Sequence, residues 1–393
     1  MNPLSGARLA EGTDVAEIIA SFAAQGWHRT GSSTDRRSAR WLSEQVAGLG
    51  RRARSIPFAF SRYVPRQAFV EVAGRRWAGL SCFDAPDTAP SGSCGRLVTV
   101  DAGGCGGVGL VVSGPGATKL DDLAQLRRSG RYEALVVVTV GARPGLAPHN
   151  AEFAEAPFGC PVVQVGSGAQ APLERAAQEQ RRVRVHSVGR HETVNAHNVA
   201  VRLESAGASA PVVVLTPRSG WWGCAAERGG GLVCWLEVVR TITVKADSRP
   251  VTCLATSGHE LGYLGLRRAF DADPVLSGFG VLWLHLGANL GARGGSVHLA
   301  ASDAELGCLG TAALEAASCR IVGPPSIGGA LGEGSELARR GARFISMVGT
   351  NDWFHLRSDR WPDSVDDAEV GRLARAAATL TQEMRGLGAR EQV

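Results

Sequence analysis

No apolar run in this chain approaches the roughly 20 residues that a membrane-spanning helix needs, which excludes a helical membrane protein. The stretch Met1-Asn2-Pro3-Leu4-Ser5-Gly6 has neither a basic start nor an apolar run, so no secretory signal is read and the cytoplasm is the expected compartment. None of the nine cysteines (Cys82, Cys94, Cys105, Cys160, Cys224, Cys234, Cys253, Cys308 and Cys319) forms a CxxC pair. An odd, unpatterned set points to free thiols rather than a disulfide framework or a structural zinc site. A strong charge of one sign is also missing. The formal net charge is only +5 over 393 residues, and the positive side chains, nearly all Arg, are scattered. Without a basic stripe or an Arg/aromatic alternation, no nucleic-acid partner is expected. There is no internal repeat and no low-complexity segment. What remains, 44% apolar and 20% charged residues, is a globular chain long enough for two cores.

The pattern predicts three regions. Residues 1–61 read as helical, with apolar positions at helical spacing over 12–24 and 34–49. Residues 62–190 are rich in Gly and short β-like runs (96–100, 109–112, 134–140, 161–165 and 181–185), interrupted by helices near 120–128 and 171–180. That reads as an inserted, mainly β domain. From 191 to 393, apolar strands (199–203, 212–215, 251–255, 281–286 and 344–348) alternate with helices (231–242, 261–270, 304–317 and 366–387). Such alternation implies an α/β domain, a mostly parallel mixed sheet with helices on both faces. In these sheets ligands bind beyond the carboxyl ends of the strands.

Three segments at such ends carry chemistry. Ser257-Gly258-His259-Glu260-Leu261-Gly262 puts a His beside a Glu at a strand-to-helix junction. His285 lies in the apolar strand Leu282-Trp283-Leu284-His285-Leu286, and His355 in the loop Trp353-Phe354-His355-Leu356-Arg357-Ser358-Asp359. Each alone reads as an ordinary hydrogen-bonded histidine. Together Glu260, His285 and His355 make a two-His, one-carboxylate set, which suits a catalytic zinc with an open position or non-haem Fe(II).

The chain resembles the di-zinc aminopeptidase family (the carboxypeptidase Q and bacterial aminopeptidase type), whose members often carry an inserted protease-associated domain. The resemblance rests on Gly31-Ser32-Ser33 with Asp35-Arg36-Arg37-Ser38-Ala39, on Asn198-Val199-Ala200, on His259 to Leu266, on Gly334-Ser335-Glu336-Leu337 with Arg340-Gly341-Ala342, and on His355 with Asp359. It implies a zinc-exopeptidase-like fold with residues 62–190 as the insert. It also shows departures. The family's His-x-Asp falls on Thr216-Pro217-Arg218, its bridging Asp on Ala226, its general-base Glu on His259 and its later Asp on His285. Glu260 and His355 keep their ligand positions. A two-metal site cannot form from this set.

These departures lead to an expected site with one divalent metal, zinc or alternatively iron, on Glu260, His285 and His355. His259 moves the proton, being a competent base near neutral pH. Arg218, at the place of a lost ligand, is expected to hold a substrate carboxylate or oxyanion. Trp221, Trp222 and Trp353 are candidates for an aromatic wall. The expected function is a metal-dependent hydrolase acting on an amide or related bond of a small, anionic substrate or short peptide. The alternatives are an inactive binding protein on the same fold, a one-metal cyclising acyl transfer, and an Fe(II) enzyme. Oligomeric state is not legible.

Overall fold

The computed structural model describes residues 14–100, 105–114, 120–203, 210–243 and 248–387. The start of the first expected helix, at 12–13, lies outside them. The chain opens with α1 (Val15–Ala23) and α2 (Ser33–Gly48). Asp14 caps α1 by accepting from the backbone of Ala16 and Glu17, and Ser32 caps α2 by accepting from Asp35. A β-rich stretch follows: β1 (Arg54–Val72), β2 (Arg75–Ser81), β3 (Ser93–Thr99), β4 (Val108–Ser113), α3 (Leu120–Arg128), β5 (Ala134–Thr139), β6 (Val162–Gly166), α4 (Gln170–Gln178) and β7 (Arg182–Leu203). The remainder is β8 (Val212–Pro217), α5 (Ala225–Thr241), β9 (Val251–Thr256), α6 (Leu264–Ala272), β10 (Leu282–Leu286), β11 (Val297–Ala301), α7 (Ala304–Ala316), β12 (Ser326–Ile327), α8 (Glu333–Arg339), β13 (Arg343–Gly349) and α9 (Asp367–Gly386).

Among the described residues the strands run in the order β1-β2-β6-β5-β4-β3-β7-β9-β8-β10-β13-β11-β12. Two parallel blocks stand out, β9-β8-β10-β13 and β3-β4-β5-β6, which gives the mixed, mostly parallel α/β architecture expected. Val and Leu fill both faces of the first block. Val212, Val214, Leu284 and Ile345 pack with Ile19, Leu42, Trp235 and Leu373 of the helices, while Val213, Leu254, Trp283 and Phe344 pack with Leu266, Phe270 and Leu337. The second block has its own core of Val136, Val138, Val163, Val165 and Leu173.

Two features depart from the expected pattern: residues 54–61, read within the helical N-terminal region, open the strand β1, and β7 is longer than expected. The expected separate strands at 181–185 and 199–203 merge, from residue 182 on, into the single 22-residue β7, which pairs antiparallel with β1 from Arg54↔Ala200 to Val72↔Val183. The expected boundaries at 61/62 and 190/191 fall inside this ribbon, the first at Ser61↔Thr193 and Arg62↔Glu192, the second at Val64↔Arg190 and Tyr63↔His191. Pro65 sits at its register shift, the place where a strand tolerates a missing N–H donor. Among the described residues no helix is long and apolar enough to cross a membrane.

Candidate functional site

The loop after β9 is shaped by Gly258, whose φ of +91° and close neighbours exclude a side chain; a Cβ there would lie 2.8 Å from Gly265 N. Its backbone N–H donates to Thr30 Oγ1 at 2.9 Å and to Ser219 Oγ at 2.8 Å. The same two residues hold Glu260: its carboxylate accepts from Thr30 N at 2.6 Å and Ser219 Oγ at 2.7 Å. Burial raises its pKa, and these hydrogen bonds work against that rise.

His259 sits beside Glu260 on this same loop, and the other two histidines arrive from elsewhere. β10 delivers His285, whose Nδ1 lies 2.8 Å from Ser346 Oγ on β13. The loop after β13 delivers His355 in a left-handed conformation, φ 60°. Its Nδ1 donates to Pro148 O at 2.6 Å, which leaves Nε2 as the bare nitrogen of the neutral ring. His259 stands with Nδ1 3.7 Å from Glu333 Oε1, and Thr256 Oγ1 donates to that carboxylate at 2.8–2.9 Å. A Cβ built on Gly332 would lie 3.6 Å from His259 Cε1 and 3.7 Å from His285 Cε1, so both rings border one spot.

Between these groups stands a residue that the sequence reading passed over. Arg228, on the first turn of α5, is 1% exposed. Its Nε donates to Ser219 O at 2.6 Å, and Nη2 lies 2.7 Å from Glu227 Oε1. Glu227 Oε1 in turn lies 3.6 Å from His355 Nε2. The helix start is held by Asp359, whose carboxylate accepts from Ala226 N at 2.8 Å and Glu227 N at 3.0 Å. Burial pushes Asp359 up to about 6.

Desolvation keeps the imidazoles neutral: His285 falls to about 4 and His355 to about 3, while His259 is driven well below its ordinary value. The Arg228 charge adds to each of these shifts. Burial raises Glu227 and Glu333, with Arg228 opposing it at both. Several buried atoms without a directed hydrogen bond lie in this cluster: Arg228 Nη1, His259 Nδ1, His285 Nε2 and His355 Nε2, with Arg228 Nη2 and Glu227 Oε1 joined only as an ion pair.

The expected metal set does not assemble. Each oxygen of Glu260 already accepts one hydrogen bond, from Thr30 N and Ser219 Oγ. Among the described residues no group of three His, Cys, Asp or Glu side chains is placed to hold a metal ion. Thr216 offers no ligand to the site, since its hydroxyl donates to Leu286 O at 2.9 Å. The chemistry of the donors explains the difference. A buried guanidinium and a cation of charge two repel each other, and Arg228 already supplies the positive charge here. The residues present therefore fit neither a metal pair nor the triad Glu260, His285 and His355.

Arg218 also departs from its expected role. It is 0% exposed and turns away from the cluster: Nη1 donates to Asp35 O at 2.7 Å and to Ser38 Oγ, and Nη2 donates to His197 O at 2.7 Å. Asp35 Oδ1 completes an ion pair at 2.9 Å. Every one of these partners is protein, so Arg218 ties α2 to the sheet. Trp221 and Trp222 are likewise core residues, 0% and 1% exposed, donating to Asn150 Oδ1 and His355 O. Trp353 is buried beneath Arg143. A small cleft lined by Arg29, Thr30, Arg62, Tyr63, Phe83 and Glu260 opens beside the cluster. A larger groove of about 680 Å³, lined by Ile56, Ala200, Leu254 and Leu276, shares no residue with it.

Arg228 and Glu227 were within reach of sequence reasoning, since they directly follow Ala226 in a buried helix start. Glu333 adjoins the Gly334-Ser335 segment. Nothing in the sequence singles out His149, which the fold brings to the same place.

No family model matches the chain, and neither does any curated protein. Solved structures do. An aminopeptidase from Aneurinibacillus sp. strain AM-1 superposes with a TM-score of 0.67 at 14% identity, covering 94% of this chain and 92% of that one. A zinc aminopeptidase from Bacillus subtilis gives 0.68 at 15%, covering 92% and 93%. A peptidase M28 precursor from Shewanella amazonensis gives 0.69 at 14%, covering 96% and 93%. At such identities a likeness of structure shows architecture and nothing finer: the chain has the α/β fold of the zinc aminopeptidases.

Proposed function

We propose that this chain uses the aminopeptidase fold to take up a small molecule by an anionic group at Arg228, and that it does so without a metal ion. The observation that carries the reading is the buried guanidinium, paired through Nη2 with Glu227 but with Nη1 unpartnered, set among neutral imidazoles with unpartnered nitrogens. A planar fork of donors matches a carboxylate, and an unpaired buried donor costs about 1–3 kcal/mol that a ligand would recover. The reaction class suggested by the neighbours is hydrolysis of an amide or related bond. For that chemistry Arg228 would hold the developing oxyanion, while His259, whose basicity burial and the Arg228 charge depress below that of the base expected from the sequence, would be only a weak proton acceptor for an attacking water. Residues 62–190 fit the role of a protease-associated-like insert, and the unpaired cysteines suit a reducing, cytoplasmic setting.

The test is calorimetric titration with acetate and N-acetylglycine after dialysis against EDTA. Both should bind, no stoichiometric divalent metal should remain, and Arg228→Lys should raise Kd at least about tenfold, since a charge-assisted pair contributes about 1.5–3 kcal/mol. Binding lost in EDTA and restored by zinc would overturn the reading. It would favour a second one, a metal-dependent hydrolase. One observation supports that alternative: the unpartnered His355 Nε2 lies 3.6 Å from Glu227 Oε1, a span two ligands of one cation can take, although Arg228 pairs with that oxygen.

A further inference from the structure

The loop between β5 and β6 is built into the second block of strands and yet reaches His355 and Glu260 beside the Arg228 cluster. On the sheet side, Ala147 N donates to Thr139 Oγ1 at 3.0 Å and His149 N to Gln164 Oε1 at 2.7 Å. Asp84 Oδ2 accepts from Glu152 N at 2.8 Å and Phe153 N at 3.1 Å, and Asp84 Oδ1 is itself paired with Arg127 at 2.9 Å. These contacts fix the loop as a rigid part of the insert.

On the other side the same few residues meet the site. Pro148 O accepts from His355 Nδ1, Asn150 Oδ1 accepts from Trp221 Nε1, and Ala151 N donates to Glu260 O at 2.9 Å. Ala151 also forms a β-bridge with Leu261. His149 lies between Pro148 and Asn150, only 4% exposed, and both of its ring nitrogens are buried with no hydrogen-bond partner. The His355 ring lies close enough to disfavour a proton on it, and burial disfavours that proton more strongly still. A neutral imidazole carries one N–H and one bare nitrogen, and native interiors rarely leave both unpaired. His149 is thus a donor and an acceptor held ready beside the site by a loop with no other evident use for them.

We infer that His149 is a specificity-determining residue, delivered by the insert, that hydrogen-bonds an amide or hydroxyl group of the ligand whose carboxylate Arg228 holds. This rests on the preceding reading of Arg228. It makes the insert part of the recognition surface, so that the site is complete only when the 140–161 loop is seated on His355 and Glu260. It also selects ligands: a bare carboxylate uses Arg228 alone, whereas a carboxylate with a neighbouring amide uses both.

The experiment compares two probes on the full chain, acetate and N-acetylglycine, with the wild type, His149→Phe and His149→Asn. The expected result is a selective loss: His149→Phe weakens N-acetylglycine about tenfold, the equivalent of one net hydrogen bond, and leaves acetate within about twofold. His149→Asn, which keeps a donor and an acceptor, recovers part of that loss. In wild-type protein with 15N-labelled histidine, N-acetylglycine should move the His149 ring nitrogen resonances and acetate should not, a readout that holds even where a variant misfolds. Equal weakening of both probes, or a ring signal indifferent to N-acetylglycine while both probes bind, would overturn the role of His149 and leave Arg228 standing. Failure of the wild type to bind either probe would overturn both.

Discussion

Replacing Arg218 by Met should lower folding stability by about 3–5 kcal/mol, the usual cost of stripping one partner from a buried ion pair. The geometry gives the reason. The guanidinium is wholly buried and satisfies the Asp35 carboxylate, the Asp35 and His197 carbonyls and the Ser38 hydroxyl together. Asp35 also accepts from Gly31 N and from Ser257 Oγ, so the pair joins the start of α2 to the loop that carries His259 and Glu260. Without Arg218 the Asp35 charge is buried with no cation beside it, and Lys, lacking the fork, cannot reach all four acceptors. Urea unfolding of the wild type, Arg218→Met and Arg218→Lys measures this. A Met variant with wild-type stability but weakened binding of N-acetylglycine would return Arg218 to the substrate-binding role its sequence position suggests.

Between pH 7.5 and 4.5 the wild type should lose about 2.7 kcal/mol of stability relative to His28→Gln. His28 is fully buried, stacked on Phe22 with ring centroids 3.8 Å apart, and its Nε2 lies 3.1 Å from Phe22 O. Burial, aided by the Arg218 charge, depresses it to about 3. Because this folded value lies below the ordinary 6.5, the unfolded chain takes up the proton first as the pH falls. The stability is therefore fully present above about 6.5 and drains away towards 3, by about 1.4 kcal/mol per pH unit, and two such units separate 6.5 from 4.5. Gln keeps an N–H for Phe22 O and cannot titrate. The histidines of the Arg228 cluster shift the same way, but the raised Glu227, Glu260 and Glu333 beside them oppose them. His28 is thus the clearer reporter. Identical pH profiles for the two proteins would refute this assignment.

Much of the architecture was legible because its signals are local. Strands such as Val212–Pro217 and Val251–Thr256 are continuous apolar runs, and buried parallel strands must be so on both faces. The helix α9 was read to within a residue at either end, from an Asp at its start and apolar spacing along its length. The β1/β7 ribbon was not, because its middle is half exposed and its residues alternate without a strong apolar face. What holds it is pairing with a partner strand more than a hundred residues away, which no window of sequence displays.

The site divides along the same line. From the sequence alone it follows that Thr216 and Ala226 cannot ligate a metal, that His259 and Glu260 share a strand-to-helix turn, and that His285 and His355 belong to the carboxyl side of one sheet. Side-chain identity and strand order settle those points before any coordinate is known. Only the tertiary structure decides where each functional group points. Arg218 turns into the α2 contact, Glu260 gives both oxygens to Thr30 and Ser219, Arg228 fills the middle, and the β5–β6 loop brings His149 from the second parallel block of strands. The physical reason is that a buried polar group must find its partners wherever the fold places them. Those partners come from segments far apart in the chain, so the pairing is a property of the packed molecule and not of any stretch of its sequence.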